Sequence, residues 1–457
     1  MEEKSKYTKT INWKQFYRNV FALVIPIAIQ NLINVGVTAT DVIMLGKVGE
    51  KVLSGASLAG QIQYIMTLIF YGVTSGATVL TAQYWGKKDT RTIEKVLGMG
   101  LSAGLIVAVV FAGAALGMPE TLMRIYTSDP EVIAEGVKYL RIVGFSYVFM
   151  AVTQVYLNIM RSIERVMVAT FIYLISLLMN IVVNAILIFG LFGFPVMGVR
   201  GAAVATVLSR YVEACIVLSW THKHTEKNIF AQGLYSTLKV PANLTKKILI
   251  KGTPLLLNET LWAAGVAMLT QCYSVRGLNV VAGLNISNTI NNVFNIIFIA
   301  LGDSVAIVVG QLLGAGKMKE ARDTDNKMIA FSVFCCTCVA AVMFVMAPLF
   351  PRLYNTNAEA RTLAKYFIML TAFFMPQNAF LHATYFTLRS GGKTIVTFLF
   401  DSVFIWVVSV TIAFTLSRFT GLPVLVIYAM VQAADMMKCV IGFILVKKGV
   451  WLQNIVS

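Results

Sequence analysis

Val52 to Gly86, Val96 to Pro119 and Val166 to Val199 each contain no charged residue. Runs of that length leave few folds open. A helix needs about 20 apolar residues to cross the ~30 Å hydrocarbon core of a bilayer. Within lipid the backbone must satisfy its own hydrogen bonds, which helices and closed barrels alone achieve. The runs lack the polar/apolar alternation of a barrel strand. The chain is 58% hydrophobic and 13% charged, where a soluble protein carries roughly 25% charged residues. The pattern predicts an all-α integral membrane protein with twelve transmembrane helices. They fall near residues 18–45, 53–83, 96–118, 138–158, 166–190, 198–219, 248–275, 280–313, 328–349, 364–387, 394–416 and 422–446.

The net charge of +17 raises the question of a nucleic-acid partner, but its distribution answers differently. If the N-terminus is cytoplasmic, the segments on that side hold most of the lysines and arginines, which is the positive-inside pattern. Both termini are therefore expected in the cytoplasm, with the bilayer as partner and no nucleic acid. The basic segment before the first apolar run resembles the start of a signal peptide, but the run is full length and no small-residue cleavage site follows, so it is read as a retained helix. Six cysteines in or near apolar spans give no disulfide framework, and three histidines (His222, His224 and His382) give no convergent metal set.

The chain also repeats itself at an offset of 228 residues. Pro26 matches Pro254, Gly49 matches Gly277, Gln83 and Gly86 match Gln311 and Gly314, Arg124 and Tyr126 match Arg352 and Tyr354, and Arg161-Ser162 matches Arg389-Ser390. Six helices per half is an even number, so the halves share one orientation and should be related by an axis along the membrane normal. The expected organisation is a cytoplasmic N-terminal segment (1–17), a six-helix lobe (18–220), a polar linker with Pro241 (221–246), a second six-helix lobe (247–447) and a cytoplasmic tail (448–457).

Polar residues inside the spans point to function. Gln30, Asn34, Thr38 and Asp41 share one face of the first helix by their spacing. A carboxylate facing lipid costs ~2.5 kcal/mol or more, so this face is expected to meet a water-filled cavity. In the seventh segment Asn258 and Glu259 are followed one turn on by Trp262, and an aromatic beside a carboxylate suits an organic cation. The eighth carries Asn288, Asn292 and Asn295, then Asp303; the tenth carries Asn378, His382 and Tyr385; the fifth carries Asn180 and Asn184. One such stripe can be glue between helices, whereas several together describe a polar interior. Asp401 and Asp435 are further membrane carboxylates that neighbouring basic residues can pair. Pro26 and Pro254 sit early in the first helix of each half, where proline deletes a backbone hydrogen bond, and are candidate hinges. The segment GQLLGAGKM from Gly310 fails the spacing of a phosphate-binding loop, and Met318 stands where a magnesium ligand belongs. With no nucleotide site and no catalytic triad, the chain is not expected to be an enzyme or an ATP-driven pump.

At this point the sequence resembles the bacterial multidrug and toxic compound extrusion (MATE) transporters. The stretch PIAIQNLINVGVTATDVIMLGKVGEKVLSGASLAG is similar to their first-helix signature running into the second helix. GATVLTAQYWGKKD and SVAIVVGQLLGAGK resemble the paired motifs of the two halves, and NIVVNAILIFG, GVRGAAVATVLS and LRSGGKT resemble further landmarks. The likeness runs over about residues 15–450. It implies a two-lobed, V-shaped antiporter in the bacterial inner membrane, a monomer that exports amphipathic, often cationic drugs against entering Na+ or H+. It also implies ion coupling at Asp41, Asn180 and Thr206, a second ion-coupling carboxylate at Glu259, and a bend at Pro26. Two positions depart from the family pattern: Asn184 stands where many relatives have Asp, and Asn378 where the Glu259 branch often has Asp. Each keeps an amide oxygen and loses a titratable charge. Asp41, Asn180, Asn184 and Thr206 then form a candidate Na+ cluster, while Asp41 or Glu259 alone suffices for a proton. Gln30, Asn34, Glu259, Trp262, Asn288, Asn378, His382 and Tyr385 are the candidate substrate contacts, and no organic cofactor is expected. The rival reading is a flippase for lipids or lipid-linked sugars. A sensor or scaffold of the same architecture is a third.

Overall fold

The computed structural model describes residues 13–226, 228–232, 242–354 and 356–456. Most of the expected N-terminal segment (residues 1–12) and much of the linker, including Pro241, lie outside the described residues. No strand occurs among the described residues. Among the described residues there are twelve long helical segments: α1 Trp13–Val48, α2 Glu50–Gly86, α3 Thr90–Gly117, α4 Pro130–Val143 with Ser146–Ser162, α5 Val166–Phe189, α6 Val199–Lys223, α7 Ala242–Ser274, α8 Leu278–Gly314, α9 Met318–Met346, α10 Ala358–Ser390, α11 Thr394–Phe419 and α12 Val424–Lys448.

Nine of these, among the described residues, are long and apolar enough to cross a membrane, and α4 adds a tenth if its two parts form one span. The other two, α7 and α10, have the length, 33 residues each. They are also the helices that carry Glu259, His382 and Arg389, and such polar groups make them less apolar than the others. Helix ends overrun the sequence-based spans for a related reason. Hydropathy marks the part of a helix that lies in hydrocarbon, and α9 begins ten residues before its expected start because the charged turns from Met318 to Lys327 stay helical. The fourth span starts earlier as well, at Pro130, where the Asp129 side chain accepts the N–H groups of Glu131 and Val132. It bends by 56° at Gly144. In α11 the backbone widens to π-type turns over Leu399–Val403 and Ile405–Val410. Turns of that type are uncommon inside helices and cluster at functional sites. α1 and α7 run on through Pro26 and Pro254 without interruption.

The repeat is present in three dimensions. α2 and α8 begin and end 228 residues apart, as do the starts of α3 and α9. Lys88 and Gly316, and Glu164 and Gly392, are left-handed turn residues at equivalent positions. Asp129 and Asn357 cap equivalent helices. The halves form two lobes joined along α1, α2, α7 and α8: α1 packs on α8, and α2 packs on both α7 and α8. The junction is tight where Gly86 and Gly314 meet. A Cβ on Gly86 would run into the Gln311 carbonyl, and one on Gly314 into the Gln83 carbonyl.

The hydrogen bonds and ion pairs that join the lobes gather toward the end of the bundle where the chain termini lie. Gln83 Nε2 donates to the Ser390 carbonyl (2.9 Å), and Gln311 Nε2 donates to the Ser162 carbonyl (3.0 Å), a pair related by the repeat. The C-terminal residues add a second layer. Gln83 also donates to the Gln453 carbonyl (3.2 Å) and accepts from the Ile455 N–H (2.9 Å), while Lys87 Nζ donates to the Val456 carbonyl (2.6 Å). Trp451 is fully buried in the core of the second lobe, whereas Val456 packs into that of the first. The tail expected from 448 on is thus a packed strap between lobes.

Candidate functional site

Two polar clusters lie within the helices, one in each lobe. In the first lobe α1 supplies Asp41, α5 supplies Asn180 and Asn184, and α6 supplies Thr206. Asn184 Nδ2 donates to Asp41 Oδ1 at 2.6 Å and to Asn180 Oδ1 at 3.0 Å. One Asn184 amide nitrogen therefore ties two helices together, and Oδ2 of Asp41 is left for a proton or the cation of a substrate. The Thr206 hydroxyl donates to the Ala202 carbonyl at 3.0 Å. Asn184 turns its nitrogen toward Asp41, and its own carbonyl oxygen is buried without a partner. A sodium ion at Asp41 would require that amide to turn over.

Two residues of this cluster escaped the sequence reading. Arg210 Nη1 pairs with Glu213 Oε2 at 2.8 Å, and the Glu213 side chain is fully buried. Ser176 on α5 donates to the same carboxylate oxygen at 2.9 Å. Arg210 also acts on Asp41 through space. Two carboxylates and one guanidinium leave the first-lobe cluster with a single net negative charge when both acids are ionised. The signal was available: Arg and Glu three apart in an apolar helix face the same side, and neither belongs in lipid.

In the second lobe the network starts at α7. Tyr385 Oη donates to Glu259 Oε1 (3.3 Å) and accepts from Asn258 Nδ2 (3.3 Å), which also reaches Asp401 Oδ2 (3.3 Å). Ser402 donates to Asn258 Oδ1 at 2.7 Å, and Lys438 on α12 holds Asp401 Oδ1 at 2.9 Å. The widened turns of α11 place Asp401 and Ser402 beside α7. Glu259 and Tyr385, two of the candidate substrate contacts, thus share one network. Asp401 joins them with Lys438 as its counter-ion.

Gln30 and Asn258 are equivalent by the repeat, and both are buried. Gln30 Nε2 donates to the Val166 carbonyl and to Thr170 Oγ1, both at 2.9 Å, and its Oε1 accepts from Arg161 at 2.9 Å. The geometry gives Gln30 the work of tying α1 to α5 and α4, as Asn258 ties α7 to α11. Asn34 and Thr38 lie exposed on α1, and Asn288, Asn292 and Asn295 lie exposed on α8. Trp262 is exposed one turn from Glu259. Asn378 is half-buried. His382 packs among Phe298, Tyr385 and Phe386, with a buried Nε2 that has no partner. Pro26 is buried, and its carbonyl accepts from the Thr170 hydroxyl at 3.2 Å. Glu259 and Tyr385 share one network, whereas Gln30 and Asn34 belong to the other lobe.

Two arginines cross between lobes at equivalent places. Arg161 pairs with Asp303 on α8 (3.3 Å). Arg389 donates to the Tyr71 hydroxyl on α2 (2.8 Å) and lies over the rings of Tyr71 and Phe386. Both stand between the carboxylate clusters and the closed end of the molecule. Among the described residues no group of His, Cys, Asp and Glu is arranged to hold a metal ion.

A two-lobed helical bundle, closed at one end, with a buried acidic cluster in each lobe, defines a membrane transporter of repeated six-helix halves. The comparisons place it more narrowly. The MatE family model matches residues 26–186 and 254–429, and the chain belongs to this family of multidrug efflux transporters. It is 22% identical over 425 residues to the probable multidrug resistance protein YoeA of Bacillus subtilis, covering 92% of this chain and 90% of that protein. It is 24% identical to the probable multidrug resistance protein NorM of Thermotoga maritima, covering 89% and 87%. Among solved structures, a multidrug resistance MATE transporter in an outward-facing conformation superposes with a TM-score of 0.85 at 18% identity, over 95% of each chain. A MATE structure in the bent conformation gives 0.86 at 18% identity, again over 95% of each chain.

Proposed function

We propose that this protein is a cation-coupled antiporter that exports amphipathic organic cations, with the proton as coupling ion. The observation that carries the reading is the state of Asp41: a carboxylate in an apolar lobe, held by an amide N–H at one oxygen and open at the other. A proton and a cationic substrate both need that charge, and each therefore lowers affinity for the other, which is the linkage that antiport requires. Sodium fits less well, because Asn184 turns its nitrogen to Asp41 and Arg210 already supplies positive charge nearby. Glu259 serves the same purpose in the second lobe, with Trp262 and Tyr385 as aromatic neighbours and Asn34, Asn288, Asn378 and His382 as further substrate contacts. Transport proceeds by rocking of the lobes, with Pro26 and Pro254 as hinges. The lobes are closed at the termini end, which the positive-inside pattern assigns to the cytoplasm of a bacterial inner membrane, and a monomer is sufficient. The exposed asparagines of α8 then line an outward cleft, since in lipid they would be costly.

The test is efflux of a cationic dye from proteoliposomes. At fixed pH gradient, replacing sodium with choline is expected to leave export unchanged, and at fixed sodium an uncoupler is expected to stop it. Export that follows sodium and ignores the uncoupler would overturn the proton assignment. Lipid flipping without dye export would favour the flippase.

A further inference from the structure

Asp325 belongs to neither cluster. It sits seven residues into α9, about 10 Å along the axis from Met318 at 1.5 Å per residue, and its exposure is zero. Among the described residues its hydrogen-bond neighbour is the Thr387 hydroxyl on α10, 2.6 Å from Oδ1. Oδ2 is buried with no partner. Thr387 Oγ1 also lies 3.0 Å from the Ala383 carbonyl, and one hydroxyl proton cannot serve both acceptors. If Asp325 is ionised, Thr387 must donate to it and the carbonyl contact goes unserved. If Asp325 carries a proton on Oδ1, it donates to Thr387, which donates on to Ala383, and both short contacts are hydrogen bonds. The uncharged form also avoids burying an anion with one oxygen unpaired.

The charged groups around the seam are engaged elsewhere or point outward. On α9, Arg322 and Asp323 are exposed and Lys327 is half-buried on another face. On α10, Arg389 is directed to Tyr71, and His382 is stacked among aromatic rings more than a turn away. On α8, Asp303 is paired with Arg161. On α12, Lys438 is paired with Asp401, and Lys447 lies over the Phe443 ring. None of them forms an ion pair with Asp325.

We infer that Asp325 is a second proton-carrying site, separate from the drug-facing carboxylates. It is loaded and sealed in this closed-inside state and discharges toward the termini side when the lobes rock and water reaches the α9–α10 seam. The inference rests on the proton-coupled reading above, and the experiment separates the two. Infrared difference spectra of the purified protein in nanodiscs, together with the proton-to-substrate ratio in proteoliposomes, are compared for wild type, Asp325→Asn and Thr387→Val. The protonated-carboxyl C=O band is expected to be present in wild type, absent in Asp325→Asn and shifted in Thr387→Val. Asp325→Asn is expected to export with one proton fewer per substrate. Absence of the band in wild type, or a band with an unchanged ratio in Asp325→Asn, would overturn the inference. If Asp325→Asn does not fold, an unshifted band in Thr387→Val would overturn it equally. Loss of all proton coupling in wild type would instead count against the reading on which it rests.

Discussion

At the scale of single residues, the two lobes hold their carboxylates differently, and the differences can be measured. Asp41 has one oxygen tied to Asn184 and one free. Asp41→Asn keeps the shape but removes both the charge and the proton. Coupled export is expected to fall by on the order of tenfold or more, since the loss is of a step in the cycle rather than of uniform binding. Normal dye efflux by a well-expressed variant would contradict this. Glu259 touches Tyr385 alone among the hydrogen-bond partners described, so its charge is available to a cationic substrate. Glu259→Gln is expected to weaken cationic substrates more than neutral ones, because charge pairs matter most where the dielectric is low. Equal losses for both classes would assign Glu259 to coupling instead. Asp41 and Glu259 stand out in the sequence because a carboxylate in an apolar run needs a reason. The fate of Gln30 did not. It shares a helix face with Asn34 and Asp41, and periodicity tells which residues share a face without telling whether water or another helix meets it. Asp325 was hidden for the opposite reason: it lies among Lys319, Glu320, Arg322, Asp323 and Lys327, a stretch that reads as a solvated helix end.

At the scale of elements, twelve helices were legible in the sequence, and nine of them, or ten with the bent pair, are long and apolar enough among the described residues to cross a membrane. Their interruptions were not legible. The 56° bend at Gly144 and the widened turns around Asp401 depend on contacts with helices far away in sequence. The α2–α8 crossing was half legible: the repeat marked Gly86 and Gly314 as equivalent, but not that each faces the other half's glutamine carbonyl. A side chain there must push the helices apart, and overpacking of this kind costs typically ~1–3 kcal/mol. Gly314→Val is expected to lower the melting temperature of the purified protein and to open the termini end, seen as faster labelling of a cysteine placed at Ser390. Labelling and stability both equal to wild type would show that the crossing has slack.

At the scale of the whole molecule, the lobes are held shut by glutamines related by symmetry and by a strap that is not. The matches at the 228-residue offset do not extend to the strap, and its apolar residues read as an ordinary tail. Three of its hydrogen bonds reach the first lobe, through Gln83 and Lys87. At ~1 kcal/mol each, their loss is expected to shift the lobe equilibrium toward the inward-open state by on the order of tenfold or more. Ending the chain at Lys448 is therefore expected to increase protease or label access from the termini side, and unchanged access would show that Gln83 and Gln311 suffice. Antiport itself is tested most directly in proteoliposomes containing the full chain, with a cationic dye and the internal pH recorded together. Dye movement down an imposed gradient is expected to drive protons the opposite way, in wild type and not in Asp41→Asn. Dye movement without any pH change, or with the same change in Asp41→Asn, would contradict proton-coupled export through Asp41.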